Sequence, residues 1–244
     1  MIKLFEQYTK YSQIERWLDT MGIRNYKIKD DLYVDVNGNV LLRHKKLDSI
    51  PVNFDRVTGH FNCSNNLLTS LKGCPNYVGR SFECTGNMLE SLEYCPSIVN
   101  DGVFNCSHNK ITSLKGCPDV IAYTFYAHNN ELTSLVGSPN EIQKDFVVNN
   151  NYLTNLVGSP IKIHGDFKCT SNKLTSLTGS DQNVCRNLKI YDNPLPEAIM
   201  NLYDDEFNIL LEYQDDYMIW NSDGSFNEPR FKMMMNDFRN GLMD

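Results

Sequence analysis

Phe104-Asn-Cys-Ser-His-Asn109-Lys-Ile111-Thr-Ser-Leu114-Lys-Gly116 recurs, with substitutions, along most of the chain. Cutting before each Phe gives units that open at Phe61, Phe82, Phe104, Phe125, Phe146 and Phe167, spaced 21 residues apart with one step of 22. A further unit opens at Leu188, and a degenerate first unit, Val40–Ile50, lies 21 residues before Phe61. The shared pattern is Phe-x-Cys-x-x-Asn-x-Leu-x-x-Leu-x-Gly. Its Asn is held at Asn66, Asn87, Asn109, Asn130, Asn151, Asn172 and Asn193. Self-similarity at a fixed period near 20 residues is the signature of a solenoid, in which no unit buries its apolar face alone and stacking supplies the core.

Phe and Cys, two residues apart, point to one face of a short strand. Each unit then adds one parallel strand, and about eight units stack into a sheet roughly 34 Å long at about 4.8 Å per strand. The Asn amide offers two donors and an acceptor, which suits a tight turn where the backbone loses its ladder partners. Lys45 takes that place in the first unit. Each unit's second half carries Gly and Pro, as in Gly73-Cys-Pro75 and Gly137-Ser-Pro139. That punctuation predicts turns and extended backbone with no regular helix.

These residues resemble the leucine-rich-repeat segment L-x-L-x-x-N-x-L-x-x-L, with Phe and Cys in the first two apolar places. The blocks Leu68–Pro75 and Leu132–Pro139, with Phe61–Asn66 and Phe104–Asn109, resemble leucine-rich-repeat-like proteins of large tailed bacteriophages and some bacteria. The resemblance covers roughly residues 32–200. It implies a mainly β, right-handed parallel β-solenoid of leucine-rich-repeat type with helical caps at both ends. It further implies the context of a phage protein acting on a bacterial host component, although fold alone does not fix function.

Three regions follow. Residues 1–39 are expected to form a helix over 2–21 and a hairpin. Ser12-Gln-Ile-Glu15 has the form of a capping box, and Ile14, Trp17, Leu18 and Met21 recur at helical spacing. Strand 32–36 is expected to pair antiparallel with the first repeat strand across Asn37-Gly38-Asn39, a hairpin signal. Residues 40–195 form the solenoid. Residues 196–244 form an acidic cap, with Phe207, Leu210, Leu211, Gln214 and Met218 on one helical stripe and a second, Met-rich helix near Glu228–Gly241. The Met stripe reads as core.

The net charge of −7 is uneven. Residues 196–244 hold 11 acidic and 3 basic residues, and residues 1–195 are nearly balanced. No basic stripe suits a phosphate backbone. The opening residues lack an apolar signal region, and no apolar run reaches transmembrane length, so a cytoplasmic protein without nucleic-acid or membrane partners is expected.

Eight cysteines raise metal and disulfide readings, but Ala127 and Val148 replace the thiol of Cys63, Cys84, Cys106 and Cys169, and Ser replaces that of Cys74, Cys95 and Cys117. Buried thiols acting as small hydrophobes fit better, and no Cys-x-x-Cys occurs. A Cys185–His164 nucleophile pair lacks an orienting third group. The runs Asp204-Asp-Glu206 and Asp215-Asp216 read as solvated helix faces. No catalytic residue, cofactor or metal is expected.

The reading is a non-catalytic protein-binding module with an unknown protein partner. Two alternatives stand beside it: an effector whose repeats address a substrate while its ends carry an activity, and an acidic nucleic-acid mimic. The first matches repeat-bearing bacterial ubiquitin ligases in design, yet residues 196–244 contain no Cys. The outward columns of the repeat strands are mostly small and polar, except for Tyr126, His128, Val147, Lys168 and Tyr191. Those five are the candidate protein-binding residues, since aromatics beside a cation are typical anchors.

Overall fold

In the computed structural model, which describes residues 2–180 and 185–243, the chain winds as a mainly β solenoid with helices at its ends. It opens with α1 (Ile2–Met21), β1 (Tyr26–Ile28), β2 (Tyr33–Val36), β3 (Val40–Leu41), β4 (Asn53–Val57), β5 (Phe61–Asn62), β6 (Tyr77–Val78), β7 (Phe82–Glu83) and β8 (Ile98–Val99). It continues through β9 (Phe104–Asn105), β10 (Val120–Ile121), β11 (Phe125–Tyr126), β12 (Glu141–Ile142), β13 (Phe146–Val147), β14 (Lys162–Ile163), β15 (Asp166–Lys168) and β16 (Asn187–Lys189). Three helices close it: α2 (Glu197–Met200), α3 (Asp204–Tyr213) and α4 (Glu228–Arg239).

The Phe-x-Cys strands form one eight-stranded sheet in the order β16-β15-β13-β11-β9-β7-β5-β3, so eight strands bound seven turns. All its pairings are parallel and bring each Phe opposite the next, as in Phe61↔Phe82 and Phe104↔Phe125. The rings form a file from Phe54 to Phe167 with centroids 5.0 to 5.9 Å apart. Such aromatic pairs add about 0.5–1.5 kcal/mol each beyond area burial.

A second set of strands runs along the opposite wall, as a five-stranded sheet β1-β2-β4-β6-β8, parallel except for β1, and a parallel three-stranded sheet β10-β12-β14. The Gly and Pro punctuation predicts extended backbone here but no sheet. Its signal is the fully or nearly fully buried β-branched column Val57, Val78, Val99, Ile121, Ile142 and Ile163. No helix interrupts the repeats among the described residues, as expected. The ladder breaks between β8 and β10, where the corner Asn100-Asp-Gly-Val103 holds the extra residue of the 22-residue step.

The Asn column works across turns. Asn130 Nδ2 donates to the carbonyls of Ala127 in its own turn and Cys106 in the preceding one, both at 3.1 Å. Its Oδ1 accepts the Ile111 amide, also of the preceding turn, at 3.0 Å. Asn66, Asn87, Asn109, Asn151, Asn172 and Asn193 repeat this arrangement. Every amide therefore reaches back toward the N-terminus. Asn66 serves the first turn through the Lys45 and Leu47 amides, so no earlier amide needs an Asn at position 45. The residue before each Asn, and His44 before Lys45, is left-handed: His44, Asn65, Gly86, His108, Asn129, Asn150, Ser171 and Asp192 have φ between 53° and 66°. Gly, Asn, Asp and His tolerate that region best.

The N-terminal hairpin differs from expectation. β2 pairs antiparallel with β1 and parallel with β4, and does not pair with β3. Asn37-Gly38-Asn39 is a solenoid corner that stacks on the next one. Gly38 N donates to Thr58 Oγ1, Gly59 N to Gly38 O, and His60 N to Asn39 Oδ1, each at 2.9 Å. Asn37 does not take the positive φ of an Asn-Gly hairpin turn, and Val36 and Val40 belong to different walls. β1 covers the edge of the five-stranded sheet, and α1 packs on the first turn through buried Leu18 and through Trp17, 6.4 Å from Phe54. Ser12–Glu15 lies in the middle of α1 and caps nothing.

At the C-terminal end, buried Gln214 closes the last described turn. Its Nε2 donates to Ser180 O at 2.7 Å and its Oε1 accepts Trp220 Nε1 at 2.7 Å. Leu210, Leu211, Phe231, Met234 and Met235 are buried, so the Met stripe is core. α3 ends at Tyr213, and Met218, expected on its stripe, is instead exposed with φ of 48°. Among the described residues no helix is long and apolar enough to cross a membrane.

Candidate functional site

Along a repeat strand the Phe and Cys side chains enter the core and their neighbours face out. The register makes the outward middle column Asn62, Glu83, Asn105, Tyr126, Val147, Lys168 and Lys189. In its first half several groups pair with one another, although the buried Ser64 Oγ has no hydrogen-bond partner. Asn62 Oδ1 accepts Ser64 N at 3.0 Å, Asn105 Oδ1 accepts Ser107 Oγ at 2.6 Å, and Thr85 Oγ1 meets Ser107 Oγ at 2.9 Å.

The character changes at β11. Tyr126 meets His128 edge-on, with centroids 5.9 Å apart, and His128 meets His108 at 5.2 Å and 83°. Burial, with the nearby His108 ring, holds the His128 pKa below its ordinary value, so the ring is neutral near pH 7. Its Nδ1 is buried without a hydrogen-bond partner. An unmatched buried polar atom costs about 1–3 kcal/mol. His108 sits in the left-handed column, with Asn129 Nδ2 at 3.2 Å from its Nε2. Val147, beside Tyr126 on β13, is 8% exposed.

Lys168 is not a free cation. Its Nζ lies 2.6 Å from Asp145 and 3.9 Å from Asp166, and Lys189 lies 3.3 Å from Asp166. The four alternate as a charge ladder beside the aromatic group. Asp145 and Asp166 each directly precede a repeat Phe, so the sequence places them outward, next to Lys168. The structure thus brings together Tyr126, His128, Val147 and Lys168 across β11, β13 and β15 and sets Tyr191 apart. Tyr191 follows β16, is 57% exposed, and lines a cavity of about 350 Å³ with Ile199, Met200 and Phe207 beside the C-terminal helices.

All eight cysteines are free thiols. Cys63, Cys84, Cys106 and Cys169 are fully buried. Cys95 and Cys117 donate to the Gly116 and Gly137 carbonyls of the next turn at 3.1 Å. Where Ser replaces them, Ser138, Ser159 and Ser180 donate to carbonyls of their own turn at 2.7 Å. The position calls for a small donor. His164 Nε2 is paired with Glu141 at 2.7 Å, and burial pushes the Cys185 thiol to about 11, far from a thiolate at neutral pH. Among the described residues no group of three or more His, Cys, Asp and Glu side chains is arranged to hold a metal ion.

The run Asp204-Asp-Glu206 forms the first turn of α3, where acidic groups favour the helix dipole. Glu206, expected in solvent, is buried. It accepts from Arg239 Nη2 at 2.7 Å and from the Tyr203 amide at 3.3 Å.

No family model matches the chain, and no curated protein matches it in sequence.

Proposed function

We propose that the chain is a non-catalytic protein-binding module, a right-handed solenoid of leucine-rich-repeat type acting in the cytoplasm, of the host if it is phage-encoded. Its docking face is the outward side of the eight-stranded sheet around Tyr126, His128, Val147 and Lys168. The repeat pattern supports the fold type, because the Asn amide sits where that pattern needs it and bonds one turn back. One observation carries the site. On a face otherwise filled mainly by small polar and charged groups, three rings, Tyr126, His128 and His108, gather edge-to-face beside a desolvated valine. Binding energy concentrates on such aromatic anchors, and the alternating charges of Asp145, Lys168, Asp166 and Lys189 form a polar rim that orients a partner.

Affinity capture from a bacterial lysate, with quantitative mass spectrometry, tests this reading. Full-length wild type, a Tyr126→Ala/Lys168→Ala variant and a Glu83→Ala control serve as baits. A specific partner is held by wild type and by the control, and binds the double variant at least about tenfold more weakly, or about 1.4 kcal/mol. Equal retention by all three baits overturns the assignment of this face.

A further inference from the structure

The second wall carries its own outward column, one residue per strand, each beside an inward β-branched residue. Strand register and position give Asp35, Arg56, Tyr77, Ile98, Val120, Glu141 and Lys162. β8 and β10 adjoin without ladder bonds, which places Ile98 next to Val120. Ile98 is 49% and Val120 51% exposed, and Tyr77 is half-buried under the Arg56 guanidinium, 3.7 Å from the ring centroid. An apolar centre three strands wide is thus flanked by two charges on each side.

The order of those charges is the informative part. From the N-terminal end the column reads minus, plus, three apolar, minus, plus. A two-fold axis lying along the strand direction at the level of Ile98 turns this column end for end onto a second copy. Arg56 then faces Glu141, Asp35 faces Lys162, Tyr77 faces Val120, and Ile98 faces itself. A two-fold interface requires this reciprocity. With two copies aligned the other way, Asp35, Arg56, Glu141 and Lys162 would each face their own like charge. Among the described residues Arg56 and Lys162 form no ion pair within the chain, while Glu141 already accepts at Oε1 from His164 and Gln143 and Asp35 lies 3.7 Å from Lys29; the second copy's Arg56 would therefore meet Glu141 at its other oxygen. At about 4.8 Å per strand the matched ends lie roughly 29 Å apart, enough for two sheets to pack face to face at about 10 Å.

We propose that the chain forms a two-fold dimer through this column, with Ile98 on the axis and Arg56 paired with Glu141 of the second copy. The interface lies on the wall opposite the proposed docking face and does not depend on it.

Sedimentation velocity and light scattering on the full chain, from micromolar to sub-millimolar concentration, test the proposal. Wild type dimerises, and Ile98→Asp is monomeric with unchanged circular dichroism and melting temperature. Arg56→Glu and Glu141→Arg each dimerise at least about tenfold more weakly alone, or about 1.4 kcal/mol. Mixed in equal amounts, they form a heterodimer, because Glu at position 56 of one chain then faces Arg at position 141 of the other, and the native pair forms at the second contact. The mixing result stands even where Ile98→Asp unfolds. A wild type that is monomeric throughout, a dimer indifferent to Ile98→Asp in a folded variant, or a mixture no tighter than its components overturns the proposal.

Discussion

Tyr94 occupies, with φ of 66°, the place in its unit that Gly116 holds in the next with φ of 97°. The same place is Gly73, Gly137, Gly158 and Gly179 elsewhere, all with φ near 90°. At Gly158 an added Cβ would lie 2.5 Å from the Val136 amide nitrogen, whereas at Gly116 its nearest neighbour is 3.4 Å away. The turn that follows Tyr94 is thus looser at this place than the later ones, and Tyr94 itself keeps the left-handed backbone strain.

Tyr94→Gly should therefore stabilise the fold. Relief of strain supplies about 1–2 kcal/mol, and the added freedom of the unfolded chain takes back about 0.5–1 kcal/mol. The side chain is 55% exposed and contributes little packing. A urea midpoint raised by the equivalent of about 0.5–1 kcal/mol is expected, and a lowered midpoint would show that the tyrosine ring contributes more than its exposure implies.

Asn130→Ala and Asn151→Ala should each cost about 1–3 kcal/mol, because each leaves backbone groups of two turns without partners. Both side chains are buried. Asn193→Ala should cost less, since its half-exposed site lets water replace the amide. Denaturant midpoints unchanged in both central variants would refute the ladder.

The Asp145–Lys168 pair gives a signed pH dependence. For Asp145, burial works against ionisation, but the Lys168 ammonium and the Asp166 amide outweigh it and hold the pKa below the ordinary 3.8. The Asp145 bond raises Lys168 above its ordinary 10.5, despite burial. A depressed carboxylate contributes stability that is present above the unfolded pKa and lost as pH falls through the folded one; a raised lysine contributes below its unfolded pKa and loses it above. Asp145→Asn should thus lower the denaturant midpoint at neutral pH, with the difference shrinking below pH 3.8. A difference that stays constant down to strong acid would mean the effect is steric.

The thiols should resist a bulky reagent in the native state at pH 8 and all react in denaturant. Burial pushes Cys95 to about 12 and Cys185 to about 11, so Cys185 should react first as pH is raised. Rapid labelling of Cys84 or Cys106 in folded protein would contradict their burial.

Much of this structure is legible in the period alone. Phe and Cys at two-residue spacing locate the main sheet, because inward and outward positions must alternate on a strand. The second wall is harder to read, since its strands are mostly two residues long and its Val/Ile column stands alone between Pro and a polar corner. Asn37-Gly38 misleads because the same residues also suit a solenoid corner, where Gly38 takes φ of 142° and Asn37 stays out of the left-handed region a two-residue hairpin needs. The column Tyr126, Val147, Lys168 follows from register, but the pairing of Lys168 with Asp145 depends on a neighbour 23 positions away. Tyr191 reads from the sequence as outward, with contact to the sheet or the C-terminal cap as the alternative, and the cavity it shares with Ile199, Met200 and Phe207 lies beside the C-terminal helices.

The backward reach of each Asn amide has a consequence for how the protein is made. A turn leaving the ribosome exposes an amide and carbonyls whose partner lies about 20 residues further on, in sequence not yet translated. Each coil is thus completed by the one that follows it, and the growing end stays open until Gln214 supplies its amide to the Ser180 carbonyl. Stacking that follows synthesis would leave the nascent chain with one unfinished turn at a time.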